Sequence, residues 1–292
     1  MIALPRTLRC ASFEQFTAFV GSAANQSADM QAFEDGLLGA ESFAVPGYCA
    51  VCDRAAAFLV DHISCYTFPD GSRVPNWRER LVCPHCQLNN RMRAAVGFLL
   101  SVSEAGTAIY LTECVTPLFQ VVATKRTRTI GSEYLRDGTA CGAINAAGVR
   151  HEDATCLTFP DGAFDTIGTF DVLEHVPGYR QALAELFRCL RPGGTLIITV
   201  PFLLGSATTI TRATIDASGI VTHLLPPEIH GDPLSQGGAL CFYHFGWDFL
   251  DALSETGFRD AGLSMFWDAR LGYLGGYQFI ITARKPTSLR LG

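Results

Sequence analysis

Two cysteine pairs place the strongest constraint on this chain. Cys49-Ala-Val-Cys52 and Cys83-Pro-His-Cys86 give the spacing C-x2-C-x30-C-x2-C. The short gap within each pair lets both thiolates point at one ion while backbone N–H groups turn towards the sulfurs. Two such knuckles close a tetrahedral four-thiolate site, the arrangement structural Zn2+ prefers. The expected ligands are therefore Cys49, Cys52, Cys83 and Cys86. Such a site has no open position, so it is expected to fold its segment and do no chemistry, contributing ~10–16 kcal/mol of apparent binding energy where the chain is too short for its own core. His85 lies between two better ligands and is expected to be exposed or hydrogen-bonded. A redox C-x-x-C is the weaker alternative, since there are two pairs and no βαβ context.

The remaining cysteines, at positions 10, 65, 114, 141, 156, 189 and 241, read as buried small hydrophobes. The first residues, MIALPRTLRCASFEQF, lack the apolar run and small-residue cleavage site of a secretion signal. The expected address is the cytosol, where a disulfide framework is not expected. A content of 48% hydrophobic and 17% charged residues excludes a disordered chain. The longest apolar stretch, Ala94 to Leu100, falls far short of the ~20 residues of a membrane span. A net charge of −6 argues against a large nucleic-acid footprint.

The 292 residues divide into three expected regions. Residues 1–43 read as helical, with Phe13, Phe16, Phe19 and Val20 at spacings of three and four. Residues 44–103 hold the cysteine pairs among turn signals, followed by a linking helix with Met92, Ala95, Val96 and Leu99 on one face. Residues 104–292 alternate strand and helix, which predicts a parallel α/β sheet. Strands are expected at 108–111, 127–130, 164–170, 195–200, 263–267 and 277–283, with 149–152 leading to a third strand. Helices are expected at 117–123, 180–190 and 247–257. Residues 203–246 form a long insertion after the fifth strand.

Several features of the α/β part converge. An acidic residue, Glu133, follows the second strand. Asp153-Ala154, Leu157-Thr-Phe159, Phe164-Asp165, Val172-Leu-Glu174-His175 and Leu190-Arg-Pro-Gly-Gly194 then follow in order, ahead of a β-branched strand. In this ordered set the chain resembles class I S-adenosylmethionine-dependent methyltransferases of the type 11 kind. The match is close over about 50 residues and extends more loosely over roughly 107–284. The resemblance implies a Rossmann-like, doubly wound, mostly parallel seven-stranded sheet and S-adenosyl-L-methionine as cofactor. It implies Glu133 on the ribose hydroxyls, Asp153 and the Ala154 backbone at the adenine, and Thr169 and Phe170 lining the cofactor. Domain order alone is similar to sugar methyltransferases with an N-terminal zinc domain.

One departure stands out. The family's first strand runs into a glycine-rich turn, whereas this chain reads Ile109-Tyr-Leu-Thr-Glu113-Cys-Val-Thr116-Pro. The close backbone approach that glycine allows is absent. Either Glu113 and Thr116 replace it with side-chain contacts, or cofactor affinity is low, or the site is dead; replacement is favoured because the ribose and adenine positions are kept. Glu113 also reads as a helix cap.

Methyl transfer needs an acceptor aligned at near-attack distance and often a base. Three of seven histidines, His223, His230 and His244, fall in the insertion, and His175 follows the fourth strand. His230, beside Glu228 and Asp232, is the first choice as general base, His175 the second. His244 reads also as a core histidine and His223 as a surface one. His223, Glu228, His230 and His244 are also a conceivable second metal set. The pair Arg91/Arg93 reads as a solvated face or an anion contact. The leading function is a methyltransferase acting on a small molecule or glycan, with no nucleic-acid or membrane partner. The alternatives are an RNA or protein methyltransferase that uses the zinc domain as reader, and a non-catalytic adaptor that has lost the cofactor.

Overall fold

The computed structural model describes residues 2–287. In chain order its elements are β1 (Leu8–Cys10), α1 (Phe13–Ser22), α2 (Ala24–Asp35), β2 (Ser42–Cys49), β3 (Arg54–Asp61), β4 (Tyr66–Thr67), β5 (Arg73–Val74) and α3 (Asn90–Ser101). There follow β6 (Ile109–Leu111), α4 (Pro117–Lys125), β7 (Thr129–Gly131), β8 (Phe164–Phe170), a 3-10 turn at Leu173–His175, α5 (Tyr179–Cys189) and β9 (Leu190–Thr199). The insertion holds β10 (Ile210–Thr211), β11 (Ala213–Ile215), β12 (Val221–His223), β13 (Ile229–Asp232), β14 (Ser235–Leu240) and β15 (Tyr243–His244). The chain closes with α6 (Asp248–Thr256), β16 (Arg259–Asp268) and β17 (Tyr273–Arg284). No helix among the described residues is long and apolar enough to cross a membrane.

The fold is mixed α/β with a seven-stranded, mostly parallel sheet in the order β1-β16-β17-β9-β8-β6-β7. The pairs β9/β8, β8/β6 and β6/β7 are parallel, whereas β17 on β9 and β1 on β16 are antiparallel. The reason lies in the sequence. Ile109, Leu111, Ile167, Leu196, Ile197 and Ile198 are fully buried, as strands covered on both faces must be. The expected third strand shrinks to a single parallel bridge between Glu133 and His151, because Arg150 turns back to pair with Ile144. The count of seven is completed by β1, which the helical reading of residues 1–43 passed over.

The chain forms two compact units that cut across the sequential division expected above. One contains the chain through Cys10, 14–101 and 263–280; the other contains 11–13, 102–262 and the chain from 281 on. In the second unit, the Pro192-Gly193-Gly194 run does not merely stop α5 but lies inside β9, which starts directly at Leu190. Helix α6 ends as expected, on Gly257 at φ +115°, a left-handed cap that a side chain would strain.

In the first unit, α3 is buried almost all round, from Arg93 to Leu99, and not along one stripe. The solvated reading of Arg93 is wrong. Its side chain is 1% exposed, donates to the carbonyls of Leu271 and Gly272 at 2.8 and 2.6 Å, and lies 3.9 Å over the Phe58 ring. These acceptors, supplied by a segment ~180 residues away in sequence, offset the cost of burying the cation. Arg91 is tied to Glu79. The cysteine reading also needs correction: Cys10, Cys189 and Cys241 are buried, but Cys141 and Cys156 are exposed and Cys65 and Cys114 half-buried.

Glu34, 3% exposed, closes this unit. Its Oε1 accepts from Trp267 Nε1 at 2.7 Å and from the backbone N–H groups of Gly275 and Gly276 at 2.7 and 3.0 Å. Hydrogen bonds to a charged acceptor contribute ~1.5–3 kcal/mol. Glu34→Ala leaves three donors short of an acceptor and is expected to lower the unfolding free energy of this unit by at least that amount. Urea denaturation followed by Trp267 fluorescence measures it, and an unchanged midpoint would refute the role.

Candidate functional site

The four cysteines of the two knuckles meet. Cys49 ends β2 and the turn after it carries Cys52, with Asp53 in the left-handed region at φ 56°. The loop before α3 carries Cys83 and Cys86, with Gln87 likewise at φ 61°. Cys49 Sγ is 3.9 Å from Cys86 Sγ and Cys52 Sγ is 3.8 Å from Cys83 Sγ, and all four sulfurs lie within 4.8 Å of one another. A tetrahedron of sulfurs at ~2.3 Å from a central ion has edges of ~3.8 Å. The contact with Cys86 holds the Cys49 thiol down at about 5 against burial, while burial pushes Cys52 up to about 12. The charge of Arg93 acts on Cys49 in the same direction. His85 is exposed and stands outside the cluster.

The second unit gathers its functional candidates at the carboxyl ends of β6, β7 and β8. Glu133, just past β7, turns its Oε1 onto the backbone N–H groups of Cys114 and Val115 at 2.7 and 3.0 Å. It therefore clasps the glycine-free turn between β6 and α4. Burial pushes its pKa up, against the two backbone hydrogen bonds. The close approach has moved to Gly131: a Cβ there would stand 2.4 Å from the Glu113 carbonyl oxygen and 2.5 Å from the Phe119 ring. Thr116 is the N-cap of α4, accepting from Phe119 N at 3.2 Å and donating to the Glu113 carboxylate. The cap read for Glu113 is therefore supplied by Thr116, with the Glu113 carboxylate behind it. Asp153 accepts from Thr155 N and Oγ1 at 2.8 and 2.7 Å beside half-buried Ala154. Thr169 and Phe170 are buried within β8, where Thr169 Oγ1 accepts from Thr112 at 3.1 Å.

Past β8 the chain reverses at Asp171, a non-glycine residue at φ 53°, into the 3-10 turn that carries Glu174 and His175. Hairpin β13–β14 brings His230 to them. Glu174 Oε1 is 3.7 Å from His175 Nε2 and 3.8 Å from His230 Nδ1, and the Glu174 side chain is fully buried. The two imidazoles meet edge to face, centroids 4.9 Å apart. Glu228 accepts from His230 Nε2 at 2.8 Å and from His244 Nε2 at 3.0 Å, with Arg212 at 3.1 Å from its other oxygen. Burial raises the Glu228 pKa, but these hydrogen bonds and the charge of Arg212 outweigh it and hold it below the usual range. Burial lowers the pKa of His175, against the hydrogen bond from its Nδ1 to the Leu240 carbonyl.

His230, His175 and His244 are therefore brought together, and His223 is not: it lies exposed on β12, opposite Ala213. The expected carboxylate neighbour of His230 is Glu228. The sequence reading missed Glu174 as a site residue, although it precedes His175 directly, because nothing in the Leu-Glu-His-Val run tells which way the carboxylate turns.

Residues 115–198 match the family model of a methyltransferase domain. A probable S-adenosylmethionine-dependent methyltransferase of Mycolicibacterium smegmatis is 32% identical over 85 residues, 28% of this chain and 32% of the relative. A demethylmenaquinone methyltransferase of Thermus thermophilus is 46% identical over 46 residues, 16% of this chain and 21% of the relative. The matched stretches thus span no more than about a third of these relatives' length. A solved S-adenosylmethionine-dependent methyltransferase from Mesorhizobium loti aligns at TM-score 0.39 with 18% identity, over 64% of this chain and 95% of that one.

The raised pKa of Glu133 has a measurable sign. Between the unperturbed value near 4.5 and its raised folded value, the folded state holds a proton that the unfolded state lacks, so this group's contribution to stability grows as pH falls through that window. Glu133→Gln removes the titration. The unfolding free energy of the wild type is expected to rise relative to Glu133→Gln as pH falls from 7 to ~4.5. A pH-independent difference would refute the buried-carboxylate assignment.

Proposed function

We propose that this protein is an S-adenosylmethionine-dependent methyltransferase acting on a small-molecule or glycan acceptor, with a structural zinc ion in its first unit. The observation that carries the reading is the Glu133 carboxylate at the end of β7, clasping the β6–α4 turn within a stretch that matches a methyltransferase domain. An acid at this position of a doubly wound sheet suits a ribose diol. Asp153 and Ala154 would meet the adenine, and the Glu113–Thr116 turn would face the methionyl end. When bound, the cofactor supplies an electrophilic methyl group on a sulfonium. The chain's own task is to bind it, exclude water and orient the acceptor.

The acceptor side is assigned to the histidine cluster. His230, His175 and His244 stand on the turn after β8 and on the insertion, over the carboxyl ends of the parallel strands, where ligands of open α/β sheets enter. Glu228 fixes the tautomer of His230 and His244, since a carboxylate accepts only. The quartet fits zinc by donor set and by its sulfur–sulfur spacing. In that reading Arg93, packed over Phe58 in the same unit, offsets part of the negative charge of a four-thiolate site.

Two measurements test the reading. Calorimetry with S-adenosylhomocysteine should give saturable binding, and Glu133→Ala should weaken it by ~1–3 kcal/mol, about 5–150-fold. Absence of binding to the wild type would leave an adaptor as the better account. Purified protein should release one equivalent of zinc when its cysteines are titrated with a mercurial, and Cys83→Ser should lose that metal together with the folded first unit.

A further inference from the structure

We propose that Glu174, His175 and His230 form a second metal site, for a divalent first-row transition-metal ion, separate from the cysteine quartet. The argument starts from where the protons must be. His175 Nδ1 faces the Leu240 carbonyl oxygen at 2.8 Å, and a carbonyl can only accept, so Nδ1 carries the hydrogen. His230 Nε2 faces Glu228 Oε1 at 2.8 Å, and an ionised carboxylate can only accept, so Nε2 carries the hydrogen. In the neutral rings the opposite nitrogens, His175 Nε2 and His230 Nδ1, therefore bear lone pairs. Both face the same oxygen, Glu174 Oε1, at 3.7 and 3.8 Å.

Three electron-rich atoms thus converge where burial makes their mutual repulsion strong. Those separations are too long for a proton to bridge, since a hydrogen bond between nitrogen and oxygen spans ~2.7–3.2 Å. They are close to what an ion demands. Ligands ~2.0–2.2 Å from a metal stand ~3.4 Å apart in a tetrahedral shell, so the two separations from Glu174 Oε1 need to close by a few tenths of an ångström. All three donor atoms lie within 4.8 Å of one another. The outer shell has the form that metal-bound histidines take, each ring tied through its far nitrogen to an oxygen that fixes tautomer and orientation. Glu228 in turn is held by His244 and Arg212.

The competing group in the same place, Glu228, His230 and Cys241, is excluded by the same proton accounting. The His230–Glu228 contact at 2.8 Å is a filled hydrogen bond, and the Cys241 thiol donates to the Tyr243 carbonyl at 3.3 Å. The set His223, Glu228, His230 and His244 conceived from sequence fails because His223 lies exposed on β12 and both other histidines point protons at Glu228.

Two imidazoles and one carboxylate leave coordination positions open, unlike the quartet. The open positions would take an oxygen of the acceptor. That consequence rests on the methyltransferase reading, whereas the metal site itself does not.

The test uses the full chain with its quartet zinc in place. After dialysis against a weak chelator, the protein is titrated with cobalt(II), read by calorimetry and visible absorption. One equivalent should bind with weak ligand-field bands and no thiolate charge-transfer band. His230→Gln, at a half-buried position, and His175→Gln should each weaken that binding ~10–100-fold while leaving S-adenosylhomocysteine binding unchanged. Cobalt binding that persists unaltered in both variants, binding with a thiolate band only, or no binding to the wild type would overturn the site. Cobalt binding without S-adenosylhomocysteine binding would retain the metal site and remove the methyltransferase reading, so the two failures are distinct.

Discussion

Parallel pairing of β6, β7, β8 and β9 is the constraint on which the functional half of this protein depends. Parallel neighbours need a crossover after each strand, so every strand in the set ends at the same edge. The turn 112–116, Glu133 and the Asp171–His175 reversal all emerge there for that reason alone. The crowding is tight enough that β7 must end in Gly131, because any side chain would strike the β6–α4 turn. The hollow of about 370 Å³ lined by Glu104, Asp165, Arg191 and Gly193 lies at the opposite, amino ends of β8 and β9, away from these groups.

The turn without glycine illustrates how one geometry is reached by different means. A glycine-rich turn presents bare N–H groups to a ligand. Here the N–H groups of Cys114 and Val115 are held by Glu133, and the helix start is capped by Thr116 with Glu113 behind it. The Glu133 carboxylate is thus the clamp on the neighbouring turn.

The insertion contributes differently. Its short strands pair two by two, with exposed apolar residues such as Ile215, Ile220, Leu224 and Ile229. Few of its side chains are buried, Ala213, Cys241, Phe242 and Phe245 among them, and Phe245 packs against Tyr179 and Phe249. Hydrogen bonds from Phe242 N to the Glu174 carbonyl and from His175 to Leu240 stitch it to the turn after β8.

The sequence by itself determined the elements that local chemistry dictates. The span of β8 was legible to the residue, after the Pro160-Asp161-Gly162 turn, and α4 and α6 from Pro117 and Gly257. The cysteine spacing foretold that four sulfurs would meet, since a knuckle is a local turn. Tertiary structure decided whatever depends on partners distant in sequence. Only the fold could bury Arg93 against the carbonyls of Leu271 and Gly272, or set Glu34 on Trp267, because such acceptors leave no trace in the neighbouring residues. Only the fold could choose among four histidines. His223 and His230 lie seven residues apart, yet one faces solvent and the other a buried carboxylate. The two stand on different hairpins, β11–β12 and β13–β14, and which of them meets Glu174 is set by how the hairpins dock, an outcome of packing that no short-range pattern encodes.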